Sequence, residues 1–427
     1  MNHGSQRGHA GPRVTSCEPA MPSERSPGAA GASYRLVMVA ASPFPYPQGS
    51  QVLISQLAAA LRRRGHRVDI VAYPRGSGQP PREVRIHRVP EVPGLGLTRP
   101  GPSWRKLLLD LLLARALLRV VRCSRPDLIH THNFEGLLIA LFVRKLTGVP
   151  VIHHVHNAMG LELHTYFRSR LGRWAGGVVG HWVDAHLPRR ADRCILLNEA
   201  AVTYFQQRGV KHFDVVPPGI DFEPGEARRV RQELGQGALV LYSGNLDRYQ
   251  DLGLLVEAFR RLAGSSPGSR LVFSTNGNSK ECRTQADTMG LGSQVLFLPA
   301  DDFDAVRDLF AAADVAVCPR RACLGFPIKL LNYMAAGKAI VVSAGSACGL
   351  RHLQDGWIVV NGDAAGMATA ISTLLHDRDL ARRLGENARA MARSEYTWDR
   401  AVDAIEEIYG QIVGQREDVS HPRGRQP

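Results

Sequence analysis

The 427-residue sequence lacks the means for a disulfide framework. Its seven cysteines, Cys17, Cys123, Cys194, Cys282, Cys318, Cys323 and Cys348, are odd in number and scattered, and no two form a C-x-x-C pair. This argues against a stapled secreted scaffold and against a zinc knuckle, and for a reducing compartment. Long apolar runs are also missing. The most lipophilic stretch, Leu107–Leu118, is too short to span a bilayer and contains Asp110 and Arg115, so it reads as a buried helix. Residues 1–33 are rich in Gly, Ser, Pro and Ala without an apolar core, which predicts a disordered tail and not a signal peptide. The expected location is therefore cytoplasmic. No G-x-G-x-x-G follows any predicted strand, which weakens a dinucleotide-dependent dehydrogenase reading. No nucleic-acid module or aromatic platform accompanies the basic charge, so no nucleic-acid partner is expected.

Acidic residues are scarce in one half only. Residues 34–222 carry 26 Lys and Arg against 12 Asp and Glu, which accounts for the whole chain's formal charge of +14. A basic face there would attract phosphates or an anionic lipid surface, and a solvated Arg-rich surface is the plain alternative.

What is present is a repeated alternation of strand and helix. Short apolar runs at Tyr34–Ala40, Arg67–Ala72, Leu128–Thr131, Val149–His153 and Arg193–Leu197 predict strands, with helices at Val52–Arg64, Trp104–Arg122, Gly136–Leu146 and Phe167–Ala185 between them. After a polar, Gly-bearing stretch at 223–237, read as a linker, the pattern restarts. Strands are predicted at Ala238–Ser243, Arg270–Ser274, Val295–Leu298, Val315–Cys318 and Ala339–Val342, and helices at Leu252–Leu262, Asp304–Ala313, Lys329–Ala336 and Trp398–Ile412. The fold class is α/β, with two doubly wound parallel sheets and a ligand held in the cleft between them.

Motifs punctuate this pattern in a definite order. Pro47-Gln48-Gly49-Ser50 precedes the first helix, and Gly65-His66-Arg67-Val68 follows it. Arg125-Pro126-Asp127-Leu128-Ile129-His130-Thr131-His132 and Val149-Pro150-Val151-Ile152 come next, then Val216-Pro217-Pro218-Gly219-Ile220-Asp221. The second half carries Tyr242-Ser243-Gly244-Asn245 and the run from Gly325-Phe326-Pro327-Ile328-Lys329 through Asn332 to Lys338. Together they resemble the family 4 retaining glycosyltransferases of the GT-B fold, from about Tyr34 to Ile412. The resemblance implies two facing Rossmann-like domains. Residues 34–222 would bind the acceptor and 238–397 the nucleotide sugar. A helix at 398–415 would pack back on the first domain, and 416–427 would form a disordered tail. It also implies a metal-independent hexosyl transfer with retention, with the nucleotide sugar as co-substrate and no other cofactor. The basic charge of the first half adds an expectation of its own, a glycan or lipid acceptor presented at an anionic membrane, with the enzyme peripheral on its inner face.

The resemblance assigns His156 and Lys329 to catalysis, and Arg248 joins them as a candidate substitute for the family's diphosphate-binding arginine. Gly49, Ser50, Gly244, Asn245, Gly325, Phe326, Pro327, Ile328 and Asn332 would bind the donor. Elementary chemistry agrees with several of these roles. Gly49 feeds a helix N-terminus, where backbone N–H groups can approach an anion. Gly244 ends a strand, which suits phosphate approach. Lys329 begins a helix and can place a charge near a leaving diphosphate. A neutral imidazole at His156 can hydrogen-bond a sugar hydroxyl. The neighbouring His130, His132, His153 and His154 raise a metal alternative. Against it, His153 and His154 point to opposite strand faces and no carboxylate stands at ligand spacing. Asp302-Phe303-Asp304 spells a D-x-D, but it precedes a helix and reads as a cap.

The sequence departs from the family where the donor should bind. Two glutamates usual around the Gly-Phe turn are Leu324 and Asn332, and the usual arginine and lysine are Asn245 and Gln250. Arg248, Arg320 and Arg321 are the candidate substitutes, and Tyr249-Gln250 matches a subgroup of the family. The departures leave a nucleotide-sugar epimerase or a non-catalytic binding protein as alternatives. Trp174 and Trp182, near Arg170, Arg173, Arg189 and Arg190, are candidates to rest at an anionic membrane, with buried helix packing as the alternative.

Overall fold

The structure, a computed structural model, describes residues 32–46, 49–76, 78–92, 103–264, 266–300 and 302–420. Its first sheet comprises β1 (Arg35–Ala40), β2 (Arg67–Ala72), β3 (Arg85–Arg88), β4 (Leu128–His132), β5 (Val151–Val155), β6 (Arg193–Leu196) and β7 (Phe213–Val215). The strands are parallel in the order β3-β2-β1-β4-β5-β6-β7. Its helices are α1 (Gly49–Arg63), α2 (Trp104–Ser124), α3 (Asn133–Thr147), α4 (Met159–Glu162), α5 (Arg170–His186) and α6 (Ala200–Gln206).

The segment expected to be a linker contains the helix α7 (Ala227–Leu234), anchored by buried Val230. The second sheet comprises β8 (Leu239–Ser243), β9 (Arg270–Ser274), β10 (Val295–Leu298), β11 (Val315–Cys318), β12 (Ala339–Ser343) and β13 (Trp357–Val359), all parallel in the order β10-β9-β8-β11-β12-β13. Its helices are α8 (Leu252–Ala263), α9 (Lys280–Thr288), α10 (Phe303–Ala312), α11 (Ile328–Ala335), α12 (Ala364–His376) and α13 (Arg378–Glu395). The final helix, α14 (Trp398–Ser420), continues through residues 416–420, which were expected to be tail. The remaining tail residues, 421–427, and residues 1–31 lie outside the described residues.

The sequence explains these elements locally. Central strands such as Leu128–His132 and Val151–Val155 are buried along their whole length, as parallel strands covered on both faces must be. Helix α1 buries Leu53, Ile54, Leu57, Ala58 and Leu61 on one face, and Gly65 supplies the positive φ of 90° that turns the chain into β2. The Asp302 carboxylate accepts the Asp304 amide as the N-cap of α10, so the D-x-D is a helix start.

One apolar cluster runs through both halves. It joins Leu36, Met38 and Ile152 of the first sheet to α1, to Tyr409 and Val402 of α14, and to Leu330, Ile340 and Val342 of the second half. Separate clusters cover the far face of each sheet. In both sheets the strand order reverses at one place, between β1 and β4 and between β8 and β11. Crevices at the carboxyl ends of such strands are where open α/β sheets hold ligands.

Candidate active site between the two sheets

The carboxyl edge of the first sheet is built from histidine. Strand alternation points His130 and His132 of β4 and His154 of β5 to one face, with His156 just beyond. Their rings stack at centroid separations of 4.7–5.4 Å. Tyr409 Oη lies 2.6 Å from His130 Nδ1, His130 Nε2 lies 3.2 Å from His154 Nδ1, and His132 Nδ1 lies 2.9 Å from His156 Nε2. His153 faces the other way and meets Thr131 Oγ1 at 3.1 Å. Burial disfavours charge on all five rings. It pushes His130 and His153 down to about 3 and His156 to about 4, and holds His132 and His154 well below the usual range. At neutral pH the group is therefore uncharged.

Neutral imidazoles are the metal-ligating form, and His130, His132 and His154 each offer a nitrogen within 4.8 Å of the others. His130, His132 and His154, however, lie within 12–28° of parallel. Lone pairs in the planes of stacked rings run side by side, whereas chelation needs them to converge on one point. The His132 and His154 Nε2 atoms are buried without a partner.

The second sheet contributes the cations. At the end of β8, Gly244 has φ 132°, and a Cβ there would meet Lys329 Nζ at 2.9 Å. Only glycine leaves the lysine this place. Lys329 Nζ donates to Tyr242 Oη at 2.6 Å and to Gln250 Oε1 at 3.0 Å. Gln250 in turn donates to Asn245 Oδ1, whose amide nitrogen donates to Tyr249 Oη at 2.7 Å. Burial lowers the Lys329 ammonium to about 8. Asn245, Tyr249 and Gln250 thus form a neutral frame that holds Lys329. Just past β11, Arg320 is buried, with its guanidinium 4.7 Å over the Tyr249 ring.

The two halves meet across this edge. Arg320 Nη2 donates to Glu162 Oε1 of α4 at 2.7 Å, with both side chains 9% exposed. The Asn198 amide donates to the Gly325 carbonyl. Gly325 itself lies against the His156 carbonyl so closely that a Cβ would overlap it. Leu324, at the position of a family glutamate, packs against the far-face core of the first sheet, so its role here is apolar contact between the halves. A Gly325→Ala variant is expected to keep its fold but lose this approach. Its activity should fall by about a hundredfold, as for a misplaced reacting geometry, and its Tm should fall as well, because the parted seam also strains the buried Arg320–Glu162 pair. Activity near that of the parent would show that the contact is dispensable.

The other sequence candidates are placed as follows. Gly49 is exposed at the start of α1, and Ser50 Oγ donates to Gln51 Oε1. Phe326 is buried edge-on to Tyr396. Pro327 caps α11, Ile328 packs on the shared core, and Asn332 is half-buried on the same helix. Arg248 is half exposed, and its guanidinium faces Glu281 of α9 at 4.0 Å. Arg321 pairs with Asp251. Of the arginines considered, the structure brings Arg320 to the seam. Glu162 and Asn198 escaped the sequence reading, and Tyr242 stood in a motif without a role. Glu162 and Asn198 lie in unremarkable stretches and gain their places from partners far along the chain.

Residues 48–219 match the family described as Glycosyl transferase 4-like domain, and residues 225–391 match Glycosyl transferases group 1. The chain is 25% identical to the D-inositol 3-phosphate glycosyltransferase of Acidothermus cellulolyticus, over 93% of this chain and 95% of that one. It is 27% identical to the protein of the same name from Actinosynnema mirum, over 85% and 92%. Among solved structures, sucrose-phosphate synthase from Thermosynechococcus elongatus superposes with a TM-score of 0.77 at 20% identity, covering 90% of this chain and all of that one. Anabaena HepE in complex with UDP-glucose superposes at 0.70 with 18% identity, covering 88% and 100%.

Proposed function

The chain belongs to the family 4 glycosyltransferases of the GT-B fold, and from that we propose that it moves a sugar from a nucleotide-sugar donor to an acceptor hydroxyl with retention. The observation that carries the reading is the anion-ready edge of the second sheet, where Gly244, Lys329 and Arg320 surround the strand switch point opposite His156. The donor diphosphate would lie against Lys329 and Arg320. The bond between the anomeric carbon and the diphosphate oxygen breaks, and a bond to the acceptor oxygen forms on the same face. The acceptor proton passes to the departing diphosphate oxygen, and the two cations stabilise the charge that develops there. Neutral His156 would orient the sugar through a hydrogen bond. No step requires a metal or a further cofactor.

The test is a thermal-shift screen against UDP, GDP, ADP and their common sugars. A selective rise in Tm that Lys329→Ala abolishes supports the reading and names the base. No shift at millimolar nucleotide, in the parent and in Glu162→Gln alike, would overturn it.

The acceptor side faces a membrane in this reading. Helix α5 exposes Leu171, Trp174, Val178, Val179 and Trp182 along one stripe, and Arg168, Arg170 and Arg173 are exposed at its start. Asp184, the acidic residue of α5, is buried and accepts the Met159 and Gly160 amides. Helices α2 and α3 add exposed Leu107, Leu111, Leu138 and Phe142. All three helices contact the far-face core of the first sheet. An apolar stripe with a basic rim and exposed indoles is the composition of an interfacial helix. Among the described residues no helix is long and apolar enough to cross a membrane. We therefore expect the protein to float with vesicles containing anionic lipid. A Trp174→Glu, Trp182→Glu double variant should lose most of that binding. Failure to float would remove the membrane from the reading, and flotation without preference for anionic lipid would remove the role of the basic rim.

A further inference from the structure

The Arg320–Glu162 pair lies where the proposed donor would place a phosphate. Arg320 follows β11 by two residues, at the switch point of the second sheet. Its guanidinium is held from several sides. Nε donates to the Ala322 carbonyl at 2.6 Å, the Tyr249 ring lies beneath it, and its own carbonyl accepts Ser346 Oγ at 2.7 Å. A guanidinium fixed this way is built to receive an oxyanion. The oxyanion it receives here comes from the other half of the molecule. Glu162 ends α4, in the segment that follows His156.

We propose that the Glu162 carboxylate is a resident stand-in for a donor phosphate, and that donor binding exchanges one anion for the other on Arg320. The inference rests on the nucleotide-sugar reading and deepens it. The exchange has a physical logic. A buried pair that loses one partner leaves an uncompensated charge, which is strongly unfavourable. Opening the seam without a replacement would leave Arg320 in that state. A diphosphate arriving on Arg320 satisfies it and releases Glu162.

The release is transmitted to the loop that holds His156. With its amide oriented to donate, Asn157 reaches Glu162 Oε1 at 3.3 Å and the His156 carbonyl at 2.7 Å. When Glu162 lets go of Arg320, the Asn157–Glu162 tie is free to rearrange with it. Glu162 is thus a positioning residue. It keeps the seam closed when no donor is bound, and the donor must displace it.

The test is calorimetric titration of UDP, GDP and ADP into the full-length protein, compared with Glu162→Gln, Glu162→Asp and Arg320→Ala. Removing the competing charge should tighten nucleotide binding by about tenfold in Glu162→Gln, because a larger fraction of molecules is competent to bind. Glu162→Asp should return towards the parent value, and Arg320→Ala should bind weakly. A structural role alone would loosen binding, not tighten it. If the parent binds a nucleotide and Glu162→Gln binds it equally or more weakly, the exchange is wrong and the donor reading stands. If Glu162→Gln binds where the parent does not, the exchange is supported outright. If neither binds any of the three, the donor reading falls and the exchange falls with it.

Discussion

Lowering the pH from about 7 to about 5.5 is expected to cost the folded protein roughly 1 kcal/mol for each of five histidines, several kcal/mol in sum. The five are His130, His132, His153, His154 and His156, all buried and all held below the ordinary imidazole range by desolvation. The sign follows from proton binding. In the unfolded chain each ring protonates as the pH falls through about 6.5. In the folded protein His156 stays neutral until about 4 and His130 and His153 until about 3, while burial holds His132 and His154 well below the usual range. The unfolded state therefore binds more protons across this window, and stability falls as the pH falls. Typical domains have only about 5–15 kcal/mol of stability, so the loss is a large share of it. Urea unfolding at the two pH values measures it directly. A His132→Asn variant should show a shallower pH slope, by about one proton, whatever its own stability. Midpoints that do not move would mean that the rings are protonated or hydrated in the native state.

The second large effect belongs to Lys329. Its replacement by alanine should lower kcat/KM for the donor by about a hundredfold to a thousandfold, the range seen when one transition-state charge stabiliser is removed. The pH profile carries more information than the loss. Burial holds the ammonium at about 8, so its charge is present below that pH and lost as the pH rises through it. The kcat/KM profile reports the free enzyme, so it should decline above about pH 8. In Lys329→Arg, whatever activity remains should lack that decline, because a guanidinium stays charged throughout. A parent profile flat to pH 9.5, measured with the same donor, would show that the lysine charge is not used.

Most of the architecture could be read from the residues because central parallel strands are continuous apolar runs. Val37-Met38-Val39 and Val240-Leu241-Tyr242 are fully buried and announce themselves. The edge strand β3, Arg85-Ile86-His87-Arg88, is polar and half exposed and gives no such signal. Helix α7 was hidden for a related reason, since Val230 is its one buried side chain in an otherwise charged run. The motif order delivered the family, which the family matches bear out. Individual roles were less legible. Leu324 and Asn332 looked like losses of polar function. The packing of Leu324 on the other half is a tertiary fact with no local trace. Arg248 was preferred to Arg320 on spacing alone, yet the sheet edge brings Arg320 to the seam and sets Arg248 beside Glu281. Glu162 is 158 residues from its partner, a separation across which no pattern in one sequence can reach.

The chain crosses between the two halves twice, and the crossings lie side by side. The Ile220 amide donates to the Tyr396 carbonyl at 2.9 Å, and Gly219 lies so close to Trp398 that a Cβ would overlap its backbone. Beyond that point α14 returns to the first half, where Glu406 takes Arg64 at 2.9 Å and His66 at 2.8 Å. A single tether would let one half swivel and tumble against the other. Two adjacent strands of chain, stitched together, act as the pin of a door. They leave the halves one easy rotation, about the line of the crossings. Phe326 stands edge-on to Tyr396 at that pin, so the contact of Gly325 with His156 begins one residue from the crossings and is held in register by them.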